Sequence, residues 1–148
     1  MPKVTQLGHV GIFVKDYDRT RAFYRDILGL HITDENTARG MTFLSSRPSA
    51  EHHEIALFRE RGDGRLLEQV SFHVDSLEEL RAFYRLFKEQ GVKIHETVTH
   101  GIALSIYFFD PEGNRLEVYW PTGIDWRQPF KQPVDLDQPD AVLLKAHL

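Results

Sequence analysis

The chain has 148 residues, 41% of them hydrophobic and 27% charged, with a formal charge of −4 and no cysteine. That size suits one domain with one core, the scattered lysines and arginines offer no basic stripe for a nucleic-acid backbone, and disulfide and thiol chemistry are excluded. No apolar run is long enough to span a membrane and MPKVTQLGHV has no signal-peptide core, so the expected location is cytoplasmic.

The first predicted element is a strand in which Val10, Ile12 and Val14 alternate with His9, Gly11 and Phe13. One face is apolar, the other small or polar. Asp16 stands as the N-cap of a helix whose Phe23, Ile27 and Leu30 recur at helical spacing, which predicts a stripe laid on the apolar strand face, and Gly29 suits a left-handed C-cap. Strands follow around Leu30–Asp34, Met41–Ser45 and Glu54–Arg59. The charged, glycine-rich RERGDGR (Arg59–Arg65) reads as a solvated connector.

The next segment repeats the first. LGHVGIFVKDYDRTRAFYRDILG faces LEQVSFHVDSLEELRAFYRLFKE at an offset of sixty, so Leu7, Val10, Val14 and the RAFYR of Arg21–Arg25 recur as Leu67, Val70, Val74 and Arg81–Arg85. Val70, Phe72 and Val74 form the apolar face here, with Gln69, Ser71 and His73 on the other. Ser76 caps the second helix with Glu79 completing a capping box; Leu77, Leu80, Tyr84 and Phe87 form its stripe and Gly91 ends it. Strands around Val92–Val98, Ala103–Phe109 and Arg115–Trp120 complete the copy. The predicted class is α+β, a single domain of two tandem β-α-β-β-β modules, residues 5–60 and 66–121. A proline-rich arm, residues 122–148, is expected to run extended over the surface, anchored by Trp126 and Phe130, with a short helix at Ala141–His147.

Duplication makes His9 and Gln69 equivalent. In NRLEVYW, Glu117 shares a face with Arg115 and Tyr119, opposite Leu116, Val118 and Trp120, and a carboxylate at mid-strand is costly to bury unless paired or bound to metal. If the modules pack side by side into one curved mixed sheet, His9, Gln69 and Glu117 converge on its inner face.

With HVGIFVKDYDRTRAFYRDILGL early and YFFDPEGNRLEVYW late, the chain resembles, over residues 5–121, the vicinal oxygen chelate superfamily of glyoxalase I, bleomycin-resistance proteins and type I extradiol dioxygenases. The resemblance implies a divalent metal in a central cavity, ligated by His9, Gln69 and Glu117. HGIALSIYFFDPEGNRLE resembles the signature of the extradiol branch, placing its His, Tyr and Glu at His100, Tyr107 and Glu117, although the spacing from His100 to Tyr107 is two residues short. AEHHEIALF resembles the segment holding that branch's acid–base histidine, best matched by His53. The implied protein is an Fe(II)- or Mn(II)-dependent dioxygenase that cleaves a catechol-like aromatic with O₂, part of aromatic catabolism, and a homodimer.

Gln69 departs from the two-histidine, one-carboxylate pattern that leaves sites open for substrate and O₂. Some glyoxalase I enzymes carry glutamine there, so a Zn(II) or Ni(II) isomerase with His9, His53, Gln69 and Glu117 as four ligands is the alternative, and a non-catalytic small-molecule binder of bleomycin-resistance type is a third. His73 lies four residues beyond Gln69, about 13 Å along a strand, too far for both to address one metal.

Overall fold

The structure, a computed structural model, describes residues 1–60 and 62–144. Its elements run β1 (Gln6–Val14), α1 (Tyr17–Ala22), β2 (His31–Asn36), β3 (Met41–Ser45), β4 (Ile55–Arg59), β5 (Leu67–His73), α2 (Leu77–Gln90), β6 (Ile94–Thr99), β7 (Ala103–Phe109), β8 (Arg115–Pro121), β9 (Gln132–Pro133) and α3 (Asp140–Leu143). The class is α+β, with parallel pairing of β1 and β4 beside antiparallel hairpins. Two compact units are present: Gly8–Val70, and Met1–Leu7 with Ser71–Leu148.

In the Gly8–Val70 unit the strand order is β2-β3-β4-β1. Its core contains Phe13, Tyr17, Leu44, Ala56 and Leu57. The face of β1 that reads as apolar is only half-buried, whereas His9, Gly11 and Phe13 are buried. The expected helix over this strand is short: Asp16 caps it by accepting from the Arg19 amide at 3.2 Å, but beyond Ala22 the chain widens into a π-helical turn, Phe23–Ile27, in which the Leu28 amide bonds the Phe23 carbonyl. The predicted stripe of Phe23, Ile27 and Leu30 does not form. Phe23 and Ile27 are 48% and 71% exposed, and Tyr17 is the residue that α1 buries, its hydroxyl bonded to Thr42 Oγ1. Spacing sets which residues share a helix face, not whether that face meets a partner.

In the other unit β8, β7, β6 and β9 are neighbours in that order, and the division between the units falls within β5, after Val70. The helix α2 is continuous for 14 residues and ends at Gly91, which takes a left-handed φ of 68°. Leu77, Leu80 and Phe87 join Val74, Leu104, Ile106, Phe108 and Val118 in one cluster. Ser76 caps the helix by accepting from the Glu79 amide; the Glu79 carboxylate accepts from the Lys3 amide instead of completing the box.

Asp110 ties the β7–β8 turn, its carboxylate accepting from the amides of Glu112 and Asn114 and from Asn114 Nδ2, each at 2.9 Å. This fixes the pairing of Leu104, Ile106 and Phe108 with Trp120, Val118 and Leu116 on the core side, and of Ser105, Tyr107 and Phe109 with Tyr119, Glu117 and Arg115 on the other.

The arm runs extended, as its prolines predict, but its buried anchors are Leu136 and Leu143, which complete the α2 cluster. Trp126 and Phe130 contact one another edge to face at 5.7 Å and are half-buried. Of the helix expected over Ala141–His147, the structure shows Asp140–Leu143, and residues 145–148 lie outside the described residues.

Candidate functional site

Each unit gathers its own share of the predicted site residues. In the Gly8–Val70 unit, His9 on β1 and Gln69 on β5 are both buried, and Gln69 Nε2 donates to His9 Nε2 at 3.1 Å. Turned over, the same amide would present its oxygen at that position. Nitrogen and oxygen donors about 3 Å apart match adjacent ligands on a cation with bonds of about 2.1 Å, so the pair fits a metal. His53 lies with its ring centroid 4.0 Å from that of His9, tilted by 47°, and Phe43 backs it at 4.8 Å.

His53 does not stand alone. His52 and His53 face each other Nδ1 to Nδ1 at 2.8 Å, so one ring donates and the other accepts, and His52 Nε2 lies 4.0 Å from the Asp34 carboxylate. Burial pushes His52 below the usual histidine range against the pull of Asp34, and His9 adds to the depression. His52 precedes β4, in a loop where no strand or helix period indicates which way its ring turns.

In the other unit, Glu117 and Tyr107 are directly paired across β8 and β7 and both are buried. Ser71 donates to Glu117 Oε1 at 2.7 Å. Tyr107 is bonded to His100 Nε2 at 2.8 Å, and the Arg115 guanidinium lies 4.1 Å from the centre of the Tyr107 ring. His100 Nδ1 donates to the Phe130 carbonyl at 2.9 Å. Strand parity places Ser71 beside Gln69 on the polar face of β5 and Arg115 beside Glu117 on that of β8; nothing in the sequence marks the Phe130 carbonyl. His73 is engaged elsewhere, with Thr5 Oγ1 at 3.2 Å and Asp75 at 3.6 Å.

Among the described residues no group of three or more His, Cys, Asp or Glu side chains is placed to hold a metal. A set of one imidazole, one amide and one carboxylate contains only two such groups. No helix among the described residues is long and apolar enough to cross a membrane.

A family model described as the glyoxalase/bleomycin resistance protein/dioxygenase superfamily matches residues 6–118. The chain is 30% identical over 126 residues to biphenyl-2,3-diol 1,2-dioxygenase 3 of Rhodococcus globerulus, covering 80% of this chain and 64% of that one. It is 31% identical over 132 residues to a 1,2-dihydroxynaphthalene dioxygenase of Pseudomonas sp. (strain C18), covering 86% and 42%. The chain thus spans 42% to 64% of the length of these two curated relatives. Among solved structures it is similar to a Mn(II)-bound glyoxalase from Novosphingobium aromaticivorans, with a TM-score of 0.71, 26% identity, and coverage of 86% of this chain and 44% of that one. It is also similar to homoprotocatechuate 2,3-dioxygenase from Brevibacterium fuscum in complex with 3,4-dihydroxyphenylacetate, with a TM-score of 0.69, 25% identity, and coverage of 85% and 39%.

Proposed function

The chain belongs to the glyoxalase/bleomycin resistance protein/dioxygenase superfamily, and from that premise we propose that it is a metal-dependent, extradiol-type ring-cleaving dioxygenase acting on a catechol-like aromatic. The observation that carries the reading is the pairing of Tyr107 with Glu117, with His100 bonded behind Tyr107. A buried carboxylate beside a phenol–imidazole pair suits a site that holds an ionised diol. The dioxygenase relatives, which by name act on aromatic diols, support the same substrate class.

In this reading His9, Gln69 and Glu117 are the metal ligands, a mixed nitrogen and oxygen set suited to Fe(II) or Mn(II). When bound, such a cation supplies the charge that favours ionisation of a vicinal diol and open positions for the diol and O₂. His53 is the acid–base group: where its Nδ1 donates to His52, Nε2 carries the lone pair that takes a hydroxyl proton and later returns it. Tyr107, its hydroxyl hydrogen given to His100, accepts from a substrate hydroxyl, His100 holds Tyr107 in that orientation, and Ser71 holds Glu117. The reading includes a homodimer, which light scattering of the purified protein tests.

A second reading, a glyoxalase-like isomerase using Zn(II) or Ni(II), is favoured by the amide at Gln69 and by the likeness to the Mn(II)-bound glyoxalase. One experiment separates the two. Protein purified without added metal is assayed for bound metal, titrated anaerobically with catechols, and then exposed to air. Ring cleavage predicts a yellow product that requires Fe(II) or Mn(II) and falls by more than about a hundredfold in Glu117→Ala. Oxygen-independent turnover of a thiol hemithioacetal, with no product from any catechol, overturns the dioxygenase reading.

A further inference from the structure

The arm beyond the family-matched residues holds the His100 side of the site at three points. Gln128 Nε2 donates to the His100 carbonyl at 2.8 Å, and the Phe130 carbonyl accepts from His100 Nδ1 at 2.9 Å. Trp126 packs on the neighbouring residue so closely that a Cβ on Gly101, whose φ is +76°, would lie 2.6 Å from the indole ring. The arm is itself fastened to α2: Arg81 donates to the carbonyls of Leu136 and Gln138 and pairs with Asp140, while Leu136 and Leu143 are buried in the core.

We infer that this arm is a positioning element that fixes the tautomer of His100. A carbonyl can only accept, so the Phe130 oxygen requires a proton on Nδ1; in the neutral ring Nε2 is then the acceptor and the Tyr107 hydroxyl the donor between them. The arm thereby dictates the direction of the Tyr107–His100 hydrogen bond. Without it a neutral imidazole favours the opposite form, with the proton on Nε2, and Tyr107 would have to turn its hydroxyl hydrogen away. Gln128 and Trp126 act through His100 and touch no reacting atom, so they are positioning residues. The consequence for turnover rests on the dioxygenase reading; the tautomer itself does not.

The test is a long-range ¹H–¹⁵N spectrum of the imidazoles in the full-length, metal-free protein, with His100 assigned by its absence in His100→Asn. Wild type should show His100 with its proton on Nδ1. Gln128→Glu keeps the shape of the side chain but removes the donor to the His100 carbonyl, and Trp126→Ala removes the packing on Gly101. Each should shift His100 toward the Nε2-protonated form with little change in thermal midpoint. In the metal-loaded enzyme the same variants should lower kcat about tenfold with KM nearly unchanged. An Nε2-protonated His100 in wild type, or a His100 signal unmoved in both variants, overturns the inference. A correct tautomer in a protein that cleaves no catechol leaves the inference standing and removes the dioxygenase reading instead.

Discussion

The same pentapeptide, RAFYR, does two different jobs in its two copies. In the first, Arg21 reaches β2 and grips Glu35 through two bonds of 2.7 Å. In the second, Arg81 leaves its own strands and binds the arm, and Glu96 on the corresponding strand β6 takes Lys131 of the arm and Arg115 as partners. The arm has entered the charge network of one copy, and it has also filled that copy's core with Leu136 and Leu143. The helices differ accordingly. α2 is continuous over a packed stripe, whereas its counterpart shortens and widens where Phe23 and Ile27 meet solvent. Identical local sequence secures helical propensity; whether the helix persists is decided by what it can bury.

Equivalent positions allow that contrast to be broken in pairs. The largest difference is expected between Phe87 and Ile27, which are 7% and 71% exposed. Phe87→Ala should cost about 3–5 kcal/mol in urea unfolding, and Ile27→Ala less than about 0.5 kcal/mol. Equal losses would show that the first helix is packed after all. Next is the arm: Leu136→Ala should cost about 3 kcal/mol, as for any fully buried leucine. An unchanged unfolding midpoint there would mean that the arm is not part of the core.

Smaller effects follow for the two arginines. Arg81→Ala removes the donor to two main-chain carbonyls and should destabilise by about 2 kcal/mol, against about 1 kcal/mol or less for Arg21→Ala, which loses a single part-exposed ion pair. The smallest is a pH effect. The Arg21 guanidinium holds Glu35 below the usual carboxylate range, so the pair's contribution is present above the ordinary glutamate pKa of about 4.3 and is lost as pH falls through the lower folded value. Glu35→Gln should flatten the acid limb of stability against pH in that window. Burial works against the charge on Glu96, but its bond from Lys131, with His95 and Arg115 nearby, holds that carboxyl below the usual range as well, so Glu96→Gln should act with the same sign.

The strands were legible because alternation is local: Tyr107 and Glu117 fall opposite one another once the turn between their strands is recognised. The pairing of His9 with Gln69 was legible through duplication, since equivalent positions on the first strand of each copy were predicted to meet. The first helix is shorter than its apolar spacing predicts, because spacing says nothing about a partner surface. Leu136 has no period to reveal it, standing alone between Asp135 and Asp137, and nothing in the AVLL run around Leu143 says which of its residues reaches the core. The grip on His100 was out of reach for a different reason: a main-chain oxygen at residue 130 has no signature in the side-chain alphabet.

The knot at Asp110 reaches further than its exposed position suggests. A slip of one residue in that hairpin would turn one strand over against its neighbour, sending Glu117 into the greasy interior and Val118 out in its place. Loosening a solvated bend would therefore dismantle the polar face of the hairpin outright instead of weakening it.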